Sequence, residues 1–326
     1  MNHQISFADI EMNANRKPSR ISVKLDKINQ IVDWDTVLNL VQAVDYTSKE
    51  TGGSPHKDLL VKVKMVYLQH LYNFSDPELE DQVNDRLSFQ LFVGLNFTTT
   101  VPDYSTIWRF KDRLIKEHLV DKLFELITSS LDQKGLIVRK GTVVDATIIQ
   151  SANRPLSKGR RKKYEENPST QIDTDAHSTQ KRGTKYFGYK GHIGVDIESK
   201  LIRKVTFTPA NVHDSQEKHK LFSGDENALF GDSAYSKKSE KTIARTLGIY
   251  YGMQEKKTRG KALSSSQKKK NKKHSKIRSQ VEHPFGFIKC RLDYRKSVAK
   301  SLARNELRFK FNCMMYNIFR GTFLLS

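Results

Sequence analysis

Apolar residues recur at helical spacing in the first third of the chain and give way to short β-rich runs in the remainder. Trp34, Val37, Leu38, Val41 and Val44 follow Asp33 and Asp35, either of which can cap them, and predict a first helix. A second amphipathic helix is predicted from about Lys57 through Leu60, Lys64, Tyr67, Leu68 and Leu71. Ser75 and Glu78 read as a capping box with Pro77 in the first turn, where its missing N–H costs nothing, and Leu79, Val83, Leu87 and Leu91 continue that stripe. A further helix starts at Asp103 or Ser105 and carries Thr106, Ile107, Trp108, Arg109, Lys111 and Arg113. Residues 1–22 show no periodicity and hold Arg16, Lys17 and Arg20 around Pro18, which predicts a basic flexible arm.

Near Gly135 the pattern changes, which divides the chain into the arm, a helical domain over 23–135 and a second domain over 136–326. Ile137 to Ile149 reads as a buried strand, and Tyr186–Ile197 and Leu201–Thr208 flank Glu198, Ser199 and Lys200 as a hairpin. A short helix capped by Asp214 with Glu217 follows, then a strand at Ala228–Gly231, a helix at Ser236–Leu247, a strand at Ile249–Gln254 and a long helix containing Glu282. This order is that of an α/β ribonuclease-H-like domain, here preceded by an all-α one.

Charge narrows the partner. Lys and Arg number 57 against 36 Asp and Glu, a net charge of +21, so the surface field is strongly positive and a polyanion is expected. No apolar run approaches the roughly 20 residues that span a bilayer, and the basic runs lack the Trp or Leu of membrane-surface helices, so nucleic acid is expected and membrane is not. Met1 to Ile10 has no basic-then-apolar leader pattern, and Cys290 and Cys313 have neither a CxxC nor a zinc spacing, which predicts a reduced, cytoplasmic protein with two unpaired thiols.

Three carboxylates carry the candidate chemistry. Asp145 ends the first strand in Thr-Val-Val-Asp-Ala-Thr, Asp232 follows the strand in Leu-Phe-Gly-Asp-Ser-Ala-Tyr, and Glu282 lies on the late helix. Gathered at one sheet edge, they would repel one another unless a hard cation sat between them, so they are expected to bind Mg²⁺, with Mn²⁺ as a substitute, and to have raised pKa values without it. Two such ions about 4 Å apart can activate a nucleophile and stabilise a leaving oxygen in phosphoryl transfer. Taken singly, an Asp at a strand end is more often a turn or cap residue.

Arg278-x₃-Glu282-x₆-Lys289, within Arg-Ser-Gln-Val-Glu-His-Pro-Phe-Gly-Phe-Ile-Lys, resembles the signature of the DDE transposases of bacterial insertion sequences, specifically the insertion-sequence-five group. Lys185-Tyr-Phe-Gly-Tyr-Lys-Gly-His-Ile-Gly-Val-Asp196 and Thr208-Pro-Ala-Asn-Val-His-Asp-Ser215 are similar to that group, as is the helical region from about 55 to 115, so the likeness covers most of the chain. It implies a nucleoid-associated enzyme that binds terminal inverted repeats, cleaves DNA, joins the freed 3′ hydroxyl to target DNA, and works as a homodimer or larger assembly. The sequence departs from the wider superfamily at Ser275, where a Tyr associated with distortion of the cut end often stands. The alternative of another class is an inactive end-binding repressor.

Steps of four and seven residues place Arg278, Glu282 and Lys289 within roughly 40° of one helix line, with a kink expected at Pro284 and Gly286. Arg278, Lys289, Lys185 and Lys190 are expected to meet DNA phosphates, and Arg109, Lys111 and Arg113 to lie on a recognition helix. The run from Lys256 to Arg278 holds eleven cations and no acid and reads as a flexible basic loop; Lys158 to Lys163 reads as a second basic stretch in a polar insertion. His213 and Asp214 could suggest acid–base chemistry, but Asp214 has the simpler role of a cap; His192 beside Asp196 is expected to be structural or phosphate-facing, and Asp225 and Glu226 precede the strand that Asp232 follows.

Overall fold

The computed structural model describes residues 17–44, 58–95, 99–167, 169, 171–181, 183–257 and 262–325. The first sixteen residues, with Arg16 of the expected arm, lie outside these, as do Arg259 and Lys261 of the basic run. The chain divides into two compact units, Met1–Leu119 and Val120–Ser326. Among the described residues no helix is long and apolar enough to cross a membrane.

The first unit is helical. Helix α1 (Arg20–Ile31) is capped by Ser19, so the expected arm is already helical from Arg20, and Leu25, Ile28 and Ile31 are buried at three-residue spacing. Asp33 caps α2 (Trp34–Val41), accepting from the Thr36 N–H. Helix α3 (Leu59–Tyr72) is not amphipathic: every residue from Val61 to Leu71 is buried. Its lysines are tolerated there because apolar rings take their heads, with the Lys64 ammonium 4.9 Å from the Trp34 ring centre and 5.3 Å from that of Phe92. The Ser75–Glu78 capping box forms, but Arg86 turns extended and splits the stripe into α4 (Asp76–Asp85) and α5 (Leu87–Val93). Asp103, rather than Ser105, caps α6 (Tyr104–Lys116) through the Thr106 N–H at 2.6 Å.

Helix α7 (Leu119–Gln133) belongs, beyond its first residue, to the second unit. The division falls before Gly135 because ion pairs bind this helix to later elements of that unit, Asp121 to Lys310 and Glu125 to Lys204. The seven-stranded sheet comprises β1 (Thr142–Ser151), β2 (His177–Lys181), β3 (Thr184–Asp196), β4 (Ile202–Pro209), β5 (Ala228–Gly231), β6 (Tyr250–Met253) and β7 (Lys296–Ser297). Strands β1, β3 and β4 are antiparallel neighbours, whereas β5 and β6 extend the other side of β1 in parallel. The order β4-β3-β1-β5-β6 with these directions is that of the ribonuclease-H-like fold.

Helices α8 (Lys158–Glu166), α9 (Asp214–Glu217) and α10 (Lys238–Thr246) lie between the strands in sequence. The basic run is irregular at Lys256, Lys257 and 262–264, but its second part is not a loop: Ser264 and Gln267 form a capping box and α11 spans Ser265–Arg278. A 3₁₀ turn (Ser279–Val281), the short helix α12 (Glu282–Gly286) and a π turn (Phe287–Arg291) follow, so the expected single helix is interrupted on both sides of Glu282. The last helix, α13 (Leu302–Leu324), covers the sheet: Phe309 fills the space above Gly191, where a Cβ would come within 2.2 Å of its ring. Asn317 accepts from the Ile202 N–H at 2.8 Å and donates to the Ile202 carbonyl at 2.7 Å.

Candidate active site

Strands β1 and β5 run parallel in a register that pairs Val144 with Gly231, so the next residues are Asp145 within β1 and Asp232 just past the end of β5. Gly231 is required by this approach, since a Cβ there would meet the Met253 sulfur at 2.7 Å and Val144 at 3.1 Å. One Asp145 oxygen accepts from the Ala146 N–H at 2.8 Å. One Asp232 oxygen caps the 3₁₀ turn Ser233–Tyr235 through the Ala234 N–H at 2.6 Å. Each carboxylate thus spends one oxygen on fixing its own orientation. Burial pushes the Asp145 pKa up to about 6 and the Asp232 charge adds to the rise, against the Ala146 N–H and Arg278, which lower it.

That shift has a sign in stability. The folded value lies above the ordinary 3.8, so the contribution is complete below that value and is lost as pH rises through about 6. Buried His192 works oppositely in an overlapping window: its pKa is pulled down to about 4 by burial, so its contribution falls away as pH drops below 6.5. Urea unfolding of metal-free protein between pH 4.5 and 7, compared with Asp145→Asn, isolates the Asp145 effect. The variant is expected to gain on the parent by on the order of 1–2 kcal/mol toward pH 7, discounted because the carboxyl is partly wet. Parallel curves for the two proteins would remove the carboxylate from this role.

Glu282 does not join the pair. It is exposed at the start of α12, and among the described residues no three His, Cys, Asp or Glu side chains are close enough to hold a metal ion together. Its electrostatic neighbour is Lys289, on the π turn, whose pKa burial lowers first and Lys181 and Arg295 lower further, while Glu282 raises it. Arg278 ends α11 within electrostatic reach of Asp145. Of the signature residues, Arg278 thus lies within reach of Asp145, and the interrupted helix does not hold the three on one straight line.

The remaining expected cations are dispersed. Lys185 is exposed on β3. Lys190 is half-buried, ion-paired with Asp214 at 2.9 Å and donating to the Val212 carbonyl. Arg109 is exposed on α6. Arg113 is half-buried and donates to the Val44 carbonyl at 3.4 Å. Lys111 is buried against Asp76 and Gln69, because it shares the inward face with Ile107, Phe110 and Leu114, and so it braces the helices rather than facing out. His213, not Asp214, caps α9, its ring accepting from the Ser215 N–H, which leaves Asp214 for Lys190. His192 is fully buried against the Thr208 hydroxyl. Arg203 and Arg139 hold Asp225. Cys290 and Cys313 are unpaired thiols. Lys181, whose field reaches both Asp145 and Lys289, has no signal in the sequence because its strand is polar on both faces.

Residues 138–318 match the family described as Transposase DDE domain, and residues 13–113 match the Transposase domain (DUF772). The chain belongs to the DDE transposases. A piggyBac transposase synaptic complex with hairpin DNA aligns with this transposase at 9% identity and a TM-score of 0.46, over 96% of this chain and 76% of that one. The Mos1 strand transfer complex aligns at 10% identity and a TM-score of 0.26, over 88% and 83%. The fold class of the transposase rests on its strand order and family match rather than on these distant likenesses. Membership implies a divalent metal cofactor. The donors present suit one: the carboxylates of Asp145 on β1 and of Asp232 just past β5, the first with its pKa raised by burial and by its neighbour's charge.

Proposed function

We propose that this transposase, of the insertion-sequence-five group, binds the terminal inverted repeats of its element, cleaves the strand there and transfers the freed 3′ hydroxyl into target DNA. The observation that carries this reading is that Asp145 on β1 and Asp232 just past β5 follow directly on the paired residues Val144 and Gly231, inside a matching family domain. Asp145, Asp232 and, once brought in, Glu282 would hold Mg²⁺, with Mn²⁺ as a substitute, which when bound supplies Lewis-acid activation of a phosphodiester. The chain's own part is positioning: the Ala146 and Ala234 N–H groups aim the two aspartates, and Arg278 and Lys289 offset phosphate charge beside them. Two ends must be held together, which calls for a homodimer or larger assembly on DNA, and the substrate places the work in the bacterial cytoplasm at the nucleoid.

Purified protein incubated with Mg²⁺, a duplex bearing the element's end and a target plasmid is expected to yield a nick at the end and a joined product. Tight specific binding with neither product would make it an end-binding repressor; a nick without joining would make it a nuclease.

Within the first unit, exposed Arg109 near the start of α6 is placed to read base edges. Arg109→Ala is expected to weaken binding to the terminal repeat on the order of tenfold, and to random duplex far less, by competition gel shift. Equal losses on both would reject the recognition-helix role and leave a backbone contact.

A further inference from the structure

Helix α11 has two polar sides. At about 100° per residue, Gln267, Asn271, His274 and Arg278 fall within roughly 60° of one another, spaced four, three and four apart. This stripe docks the helix. Gln267 donates to the Glu255 carboxylate at 2.6 Å, and Asn271 accepts from the Glu255 N–H at 3.0 Å and donates to the Glu255 carbonyl at 3.1 Å. His274 is buried, hydrogen-bonded to the Tyr250 hydroxyl at 2.9 Å and edge-on to the Phe230 ring. Next to the stripe, the Ser275 hydroxyl accepts from Gln254 at 2.7 Å. The helix thereby lies against β5 and β1, and the 3₁₀ turn that follows it packs on β1, the strand that carries Asp145.

The opposite side is a row of lysines. Lys268, Lys269, Lys272, Lys273 and Lys276 lie within an arc of roughly 140° that faces away from the stripe, and all are exposed. The helix contains no acid, Glu255 is taken up by the stripe and by Lys241, and among the described residues none of these five lysines makes an ion pair. Like charges four residues apart destabilise a helix, so the row costs stability until a polyanion lies on it. With 14 residues the helix is roughly 21 Å long, a span over which duplex DNA carries about a dozen phosphates. A second copy of the chain, itself at +21, is repelled by the same face.

This face has no means of reading sequence. An ammonium is a point charge, and the planar groups of Gln267, Asn271 and His274 are turned inward and engaged. DNA held here is held by its backbone whatever its bases, which suits the duplex that receives the element rather than the terminal repeat, which must be recognised.

We infer that the lysine face of α11 is the docking surface for target DNA, gripping its backbone without regard to sequence and leading it toward the strand that bears Asp145. This rests on the transposase reading and deepens it by separating the surface that takes the target from the unit that takes the element's end.

The test uses the full-length protein, a duplex carrying the element's end uncut, the same duplex already cut to expose its 3′ hydroxyl, and a target plasmid. Lys268→Gln, Lys272→Gln and Lys276→Gln are combined, since these positions share one helix line and Gln keeps helix propensity; Lys269→Gln with Lys273→Gln is a second variant. In fluorescence anisotropy with a random duplex of about 30 base pairs, the triple variant is expected to show a slope of log affinity against log salt shallower by about 2.7, the loss of three phosphate contacts. It should join the precut end to plasmid on the order of tenfold more slowly while nicking the uncut end at the parent's rate. Lys268→Arg, Lys272→Arg and Lys276→Arg together are expected to restore slope and joining. Lys158→Gln, Lys162→Gln and Lys163→Gln on α8 remove the same charge from another exposed basic stretch and control for the general field. Parent-like slope and joining in both α11 variants, an equal loss in the α8 variant, or nicking lost along with joining would each overturn the target surface and leave the transposase reading standing. A parent that neither nicks nor joins overturns both.

Discussion

Asp145→Asn and Asp232→Asn are each expected to lower metal-dependent cleavage of element ends by about a thousandfold or more without weakening the grip on those ends. The two effects separate because the carboxylates meet the scissile phosphate as metal donors, whereas affinity comes from cations elsewhere on a chain of net charge +21. Removing a negative charge from beside a polyanion tightens binding if it changes anything, so affinity is expected to be equal or up to several-fold higher. The pair is not symmetrical. Asp232 also caps the turn Ser233–Tyr235, and Asn keeps that acceptor, so Asp232→Asn should preserve the thermal midpoint while Asp232→Ala lowers it by the value of a cap, about 1 kcal/mol. Cleavage assays on both Asn variants beside anisotropy on the same duplex decide the matter, and undiminished cleavage by either would move the chemistry to other residues.

The largest loss of stability is expected from Asn317→Ala, at about 3–5 kcal/mol in denaturant unfolding of the metal-free protein. The side chain is fully buried and satisfies both backbone groups of Ile202 on β4, so truncation leaves a buried N–H and a buried carbonyl without partners and opens a cavity besides. Asn312 on the same helix supplies the contrast. It is also buried, yet its Nδ2 has no partner among the described residues, so Asn312→Leu should cost much less. A comparable loss in both variants would mean that helix packing, not the clasp on Ile202, sets the cost.

Much of the catalytic sheet was legible because buried strands with turn residues between them leave a local trace. Ala228–Gly231 is a strand where expected, and the hairpin around Lys200, which takes a left-handed conformation, also falls in place, so Asp232 could be put just past its strand from sequence alone; Asp145, expected at the end of the first strand, is instead the fourth residue of β1, which runs on to Ser151. What escaped was structure whose signal is flat. Helix α13 is buried over much of its surface with polar residues such as Asn305, Lys310 and Asn317 among the buried ones, and so shows little periodicity, and α3 reads as amphipathic only because its lysines are taken for a wet face. The basic run reads as a loop if charge alone is weighed, whereas the Ser264–Gln267 box and the helical propensity of lysine point to α11. Lys111 could have been recognised as inward-facing, four residues after Ile107 and three before Leu114. Lys181 could not, because a strand polar on both faces carries no periodicity that singles out one of its residues.

The clasp between Asn317 and Ile202 also bears on how the chain is made. Its partners are 115 residues apart, so β4 leaves the ribosome with its inner face uncovered and its buried backbone groups unmet. At roughly 5–20 residues per second the helix that closes them arrives on the order of ten seconds later. During that interval a nascent sheet holding the aspartates is present without its cover. Folding of the second unit is thereby tied to the emergence of α13, and any chaperone demand of this protein should concentrate in the window between these two residues.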